Sequence, residues 1–288
     1  MDTLTIVLLA SLITLIVLLI LRFLHDYCGK SAHRDDLSMK LVVPNFEKNT
    51  VYLIKFADND YCINASPFCV KLEYFLRYHQ INYVPIEAKF LALSSEGKKP
   101  FIEYNGVHYP DSDVIINFLI KEHNLKYNLT ADQKAISHLV QRTCDKSIYI
   151  LNLYSKLEEN MPLFARTIKG NAKTPSWHLV YMQRLIYYSL WTRVKSDGTG
   201  YHKKEEVVEL LQQDLEALER ILGGSTYITG DTVSPGDFSL FAHLICGYHL
   251  PYEIPIKEIV DLKCPKLQSY MLRIHFRYFG DYPLKEPV

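Results

Sequence analysis

Ser66-Pro67-Phe68-Cys69 sets a hydroxyl and a thiol three residues apart at the start of a helical pattern. A helix N-terminus gathers unpaired N–H donors and the positive end of the peptide dipoles, so it favours an anion placed there. Ser66 fits the N-cap and Pro67 the first helical position. The spacing is that of a Cys-x-x-Cys pair with Ser for the first cysteine, which impairs dithiol chemistry and leaves Cys69 as a packed helix residue. Lys99-Pro100 precedes an apolar strand, and Asp111-Ser112 opens a further helix that either side chain could cap. Ser234 and Asp237 have the spacing of a capping box, with Asp where Glu or Gln is usual. His243, Cys246 and His249 could be read as metal ligands, but His249 is rotated too far to share their helix face, and packing is the reading taken.

The elements that hold these residues follow from periodicity. Val51 to Phe56 reads as a strand, and Val70, Leu72, Phe75 and Leu76 give the next segment an apolar helical face. Asn82 to Ile86 is a second strand. Phe101 to Tyr104 runs into Asn105-Gly106, the strongest short hairpin signal, and His108 begins the return strand. Val114 to His123 forms the next helix, and one weak helix fits between Phe90 and Glu96. Residues 130–280 are helical by pattern, with a long amphipathic helix over Glu205 to Leu222. The expected organisation is an anchor over 1–24, a polar tether over 25–49, an α/β unit over 50–125 and an all-α unit over 126–288.

The anchor rests on Thr3 to Leu21, which carries no charge. As a helix those residues would span about 28 Å, close to the thickness of a bilayer's hydrocarbon. Before the run there is only Asp2, and after it no small-x-small cleavage site, so a signal peptide fits less well. Arg22, Lys30, Arg34 and Lys40 flank its C-terminal side, which predicts a single-pass membrane protein with the globular part facing the cytosol. Cys28 is either a lipidation site or an unmodified linker thiol.

Composition excludes other classes. Lys plus Arg and Asp plus Glu are equal at 32 each, and the longest basic runs are pairs, so no nucleic-acid partner is expected. Six cysteines without framework or zinc spacing read as thiols in a reducing compartment, and no metal cofactor is expected.

The strand–helix order with Ser66 to Cys69, Pro100 and Asp111-Ser112 resembles the thioredoxin-like half of glutathione transferases. Gly230-Asp231 followed by Ser234 to Asp237 resembles the buried capping box of their all-α C-terminal half. Within that superfamily the runs Ser66 to Glu73, Pro100 to Gly106 and Asp111 to Asp113 resemble the failed-axon-connections family, allied to the metaxins and including cadmium-responsive nematode members. The resemblance implies a thioredoxin-like α/β domain plus an all-α domain, and glutathione as substrate or ligand. It implies a homo- or hetero-dimer as the assembly.

It also assigns roles residue by residue. Ser66 would be the catalytic residue, its hydroxyl turned to glutathione's sulfur, unless it merely caps the helix by accepting the Cys69 N–H. Pro100 would be cis, exposing the Lys99 backbone to the tripeptide. Asp111 and Ser112 would hold the γ-glutamyl end, unless they only cap their helix; most relatives have Glu or Gln where the shorter Asp111 stands. Three functions follow from this: a glutathione-dependent enzyme of detoxification or cadmium and stress response, a catalytically silent interaction module, or a direct binder of soft metal.

Overall fold

The computed structural model describes residues 41–58, 61–87, 94–169, 176–282 and 284. Four strands form one sheet in the order β2-β1-β3-β4: β1 Val51–Lys55, β2 Tyr83–Glu87, β3 Phe101–Tyr104 and β4 Val107–Pro110. β1 pairs parallel with β2 and antiparallel with β3, and β3 pairs antiparallel with β4. The parallel pair requires a crossover, which α1 (Pro67–Tyr78) supplies. Pro85 lies in β2 and can donate nothing to a ladder, so its strand belongs at the sheet's edge. At the β3–β4 turn Asn105 and Gly106 both take positive φ, and a Cβ on Gly106 would stand 2.9 Å from the Phe46 ring.

Nine further α-helices follow among the described residues. They begin with α2 (Ser112–Glu122), α3 (Ala131–Arg142), α4 (Tyr149–Glu158), α5 (Met161–Lys169) and α6 (Ser176–Asp197). α7 (Lys204–Leu222), α8 (Pro235–Tyr248), α9 (Pro255–Lys263) and α10 (Pro265–Tyr278) complete the chain order. A π-helical segment, Thr143–Ile148, joins α3 to α4. The fold is thus a thioredoxin-like α/β half followed by a helical half. One apolar core runs through both, because α1 lies against α8: the Tyr74 ring meets Phe238 edge-on at 4.9 Å and Phe241 at 5.2 Å. α3 also closes on α8, with the Gly236 N–H donating to Ser137 Oγ at 2.9 Å where a Cβ would be 2.7 Å from the Ser137 carbonyl oxygen.

Two expectations change here. The single-pass membrane protein facing the cytosol is not supported, because no helix among the described residues is long and apolar enough to cross a membrane. The longest of them, α6, carries Arg184, Arg193 and Lys195 within its span. The run Thr3 to Leu21 lies outside the described residues, as do 25–40 of the tether and most of the weak helix near Phe90. The tether's last residues, 41–49, lie on the sheet rather than standing clear of it. Val43 and Phe46 cover Tyr52, Ile54 and Phe101, and the Val42 and Val43 N–H groups donate to the Glu103 carboxylate at 2.7 and 2.9 Å.

At the head of α8, Asp237 is wholly buried and receives four donors. They are the Ser234 N–H and hydroxyl, both at 2.8 Å, the Ile228 N–H at 2.8 Å and the Tyr270 hydroxyl at 3.0 Å. Burial pushes its carboxyl up to about 6, against the pull of those donors. The box therefore ties α8, the 228–234 turn and α10 together. Asp237→Ala orphans these donors, and the expected loss is about 3 kcal/mol or more of unfolding free energy, read by urea denaturation.

Candidate functional site

Three chain segments carry the expected site residues. The first is the turn from Asn64 to Ser66, pinned by the Asn64 side chain, which donates to the Phe56 carbonyl at 2.8 Å and accepts the Ser66 N–H at 3.1 Å. The Ser66 carbonyl accepts the N–H groups of Cys69 and Val70 at 3.1 and 3.2 Å. Its side chain makes no capping bond, so the half-buried hydroxyl does not serve the backbone of the turn. The second segment is the cis peptide Lys99–Pro100, entering β3. The third is the head of α2, where Asp111 takes φ 66° and accepts the N–H groups of Asp113 and Val114 at 3.0 and 3.2 Å, with Ser112 buried beside it. Asp111 is thus a helix cap in this structure. A non-glycine residue held at positive φ is the kind of local strain that concentrates at binding sites.

The charges around Ser66 come from below it. Lys99 is buried with its ammonium 4.7 Å from the centre of the Phe56 ring, and burial pulls its pKa down to about 8, Cys69 opposing. Cys69 is fully buried, and burial pushes its thiol up to about 11. The Phe56 backbone and the Ser66 hydroxyl lie within hydrogen-bonding reach of that sulfur, and with Lys55 and Lys99 they partly offset the burial. Cys69 is therefore a packed thiol held protonated at neutral pH, with the Ser66 hydroxyl beside it.

A second polar cluster lies behind α1, and the sequence reading did not find it. Lys71 is buried on α1 and pairs with Asp113 of α2 and with Asp145 of the π-helical segment at 2.6 Å. Asp145 accepts from His243 of α8 at 3.1 Å, and Asp113 also accepts from Gln141 at 2.8 Å. The cluster thus joins the helix that opens with Asp111-Ser112 to the helical half. On the other side of α1, buried Lys55 pairs with Asp58 at 2.7 Å and with Glu73 at 3.1 Å. Glu73 and Lys55 both bond the Tyr282 hydroxyl at 3.1 Å, and Arg77 spans Glu73 and Asp281. The one signal in the sequence was Lys71 and Glu73 standing inside the apolar run Val70 to Leu76, which says that charges are buried without saying what pairs them.

His243, Cys246 and His249 do not converge: His243 bonds Asp145, and the Cys246 thiol donates to the Asn64 carbonyl at 3.2 Å. Among the described residues no three His, Cys, Asp or Glu side chains are placed to hold a metal ion.

Burial alone would raise the Asp145 carboxyl, but the His243 bond and the Lys71 charge outweigh it and hold it near about 2. A depressed carboxyl stabilises the fold above its unfolded pKa of about 3.9 and loses that contribution as pH falls toward 2. Asp145→Asn is expected to lose about 2 kcal/mol at neutral pH and to unfold less steeply than the wild type between pH 4 and 2, as circular dichroism would record.

Residues 67–161 match the glutathione S-transferase N-terminal domain and residues 211–274 the glutathione S-transferase C-terminal domain. Failed axon connections of Drosophila melanogaster is 28% identical over 251 residues, covering 83% of this chain and 60% of the fly protein. The chain therefore spans about 60% of the length of that curated relative. Among solved structures, glutathione S-transferase III in its apo form has a TM-score of 0.53 at 15% identity, covering 83% of this chain and 100% of that one. A β-etherase from a Sphingobium strain gives 0.55 at 16% identity over 78% and 94% of the two chains. A Methylobacterium radiotolerans glutathione S-transferase in complex with glutathione sulfonate gives 0.52 at 15% over 83% and 97%. At such identities the solved structures carry the fold alone. With the matched domains and the fly relative added, the chain belongs to the glutathione-transferase-like family that includes Failed axon connections.

Proposed function

We propose that the chain binds glutathione through Ser66, the Lys99–Pro100 peptide and the Asp111-Ser112 helix start, with Ser66 holding the thiolate. The observation that carries this reading is the Ser66 hydroxyl, which stands at a helix N-terminus and is not used to cap it. The solved relative from Methylobacterium radiotolerans, whose complex contains glutathione sulfonate, supports the ligand class.

The energetics suit the role. A free thiol titrates near 8.5, and lowering that by about 2 units takes about 2.7 kcal/mol of preference for the thiolate. A helix N-terminus supplies about 0.3–1 kcal/mol. A hydrogen bond to a charged acceptor adds roughly 1.5–3 kcal/mol. The helix end falls short alone and the hydrogen bond reaches the requirement only at the top of its range, while together they span it. On this reading the Lys99 backbone pairs with the extended tripeptide and Ser112 receives the γ-glutamyl carboxylate. A bound, ionised glutathione would serve conjugation or reduction of electrophiles, and through it detoxification or a cadmium and stress response.

A catalytically silent interaction module is the second reading. Asp111 favours it, because one of its carboxylate oxygens is taken up by two N–H groups of its own helix and its arm is short for a γ-glutamyl ammonium.

Ser66→Ala separates the two. If Ser66 holds the thiolate, the pKa of bound glutathione rises by about 1–2 units, while affinity changes much less, since Ser112 and the Lys99 backbone remain. Ultraviolet absorbance of the bound thiolate against pH, with calorimetry of glutathione binding to both proteins, reads each quantity. Identical titrations would remove the catalytic role, and no binding by the wild type would leave the module.

A further inference from the structure

Two thiols from different halves of the molecule converge behind the Ser66 turn. Cys62 lies two residues before the turn and donates to the Asn64 carbonyl oxygen at 3.2 Å. Cys246 lies on α8 and donates to that same oxygen, also at 3.2 Å. With both sulfurs on one atom, they are at most about 6.4 Å apart. Rotation about a Cα–Cβ bond swings a sulfur by roughly 3 Å between staggered positions, so closing to a bond needs side-chain rotation and a small approach of the turn. Buried Lys156 completes the cluster: its ammonium donates to the Cys246 carbonyl at 3.1 Å, and both sulfurs are near enough for their ionisation to be felt there. No carboxylate is bonded to that ammonium among the described residues, so the thiols are the anions it can meet.

We propose that Cys62 and Cys246 are an oxidation site, joined by hydrogen peroxide into a disulfide that fastens the Ser66 turn to α8. One thiol first attacks peroxide. A sulfur–oxygen bond forms, the oxygen–oxygen bond breaks, and the departing hydroxide leaves as water with the thiol proton. The second thiol then attacks the sulfenic sulfur, the sulfur–sulfur bond forms, and the sulfenic oxygen leaves as a second water. Two thiols and one peroxide give one disulfide and two waters, each sulfur losing one electron and the peroxide gaining two. Peroxide is close to water in size, which matters because both thiols are almost wholly buried. Burial raises the Cys246 thiol, with Lys156 opposing, so the reaction is slow at neutral pH and faster in mild alkali. The crosslink runs between the α/β half and the helical half, and it fixes the turn whose Asn64 holds the Ser66 N–H.

The test is prolonged exposure of the full chain to hydrogen peroxide at about pH 9, then alkylation under denaturing conditions and peptide mapping without reductant. The expected result is a linked pair of peptides carrying Cys62 and Cys246, released by reductant and absent from Cys246→Ser, with a raised melting temperature for the linked protein. Recovery of both residues as alkylated thiols or as singly oxidised acids overturns the proposal. So does a link from either residue to Cys69 or another cysteine in place of this one.

Discussion

A lysine ammonium inside a protein must be paired or neutral, and the whole arrangement of α1 follows from how Lys71 is paired. Its partners come from two other elements, Asp113 at the head of α2 and Asp145 in the π-helical segment. Asp145 in turn engages His243 on α8. Four elements from both halves are therefore held in one register by charges that cannot return to water without unfolding. The apolar contacts of Tyr74 with Phe238 and Phe241 supply area, but area tolerates sliding; a buried ion pair does not.

The same helix carries a second set of charges on its other side. Glu73 and Arg77 of α1, with Lys55 of β1, receive Asp58, Tyr282 and Asp281, so the segment after α10 is buttoned down over the end of β1. The Arg77 guanidinium lies 4.7 Å from the Phe279 ring centre, adding a cation–π contact to the pairing. β1 ends at Lys55, and Phe56 follows with its carbonyl on Asn64 and its ring under the Lys99 ammonium. The candidate site therefore stands on polar scaffolding at both sides of α1. Its own exposed chemistry is reduced to one hydroxyl and a helix end.

That economy bears on what the site can do. Cys69, in the first turn of α1, is buried and held protonated, so a thiolate at Ser66 would have to be brought by a ligand. The capping of α2 by Asp111 takes up the Asp113 and Val114 N–H groups, so a carboxylate ligand at Ser112 would meet the favourable end of the helix without those donors. Stabilising a thiolate needs more than the helix end of α1 provides by itself, which is why the Ser66 side chain carries so much.

Much of this was legible in the residues themselves. The succession of strands and helices, the Asn105-Gly106 turn, the helix starts at Pro67 and Pro235 and the Ser234–Asp237 box follow from local rules, because propensity, turn geometry and capping act within a few residues. The cis state of Pro100 and the placing of Asp111-Ser112 came from resemblance and could not be read from spacing. What local rules left open was decided by packing. Ser66 could have capped its helix through its side chain, but the Asn64 side chain holds its N–H and the hydroxyl makes no capping bond. Lys71 and Glu73 showed as charges inside an apolar run, yet Asp145 lies 74 residues from Lys71 and Tyr282 lies 209 from Glu73. Residues 41–49 read as tether because they have no periodicity, and only the sheet's uncovered face gave Val43 and Phe46 something to cover. Sequence determines what a residue must have, a partner for a charge or a cover for an apolar ring. The tertiary structure decides which distant group supplies it, because that choice depends on distances no local rule contains.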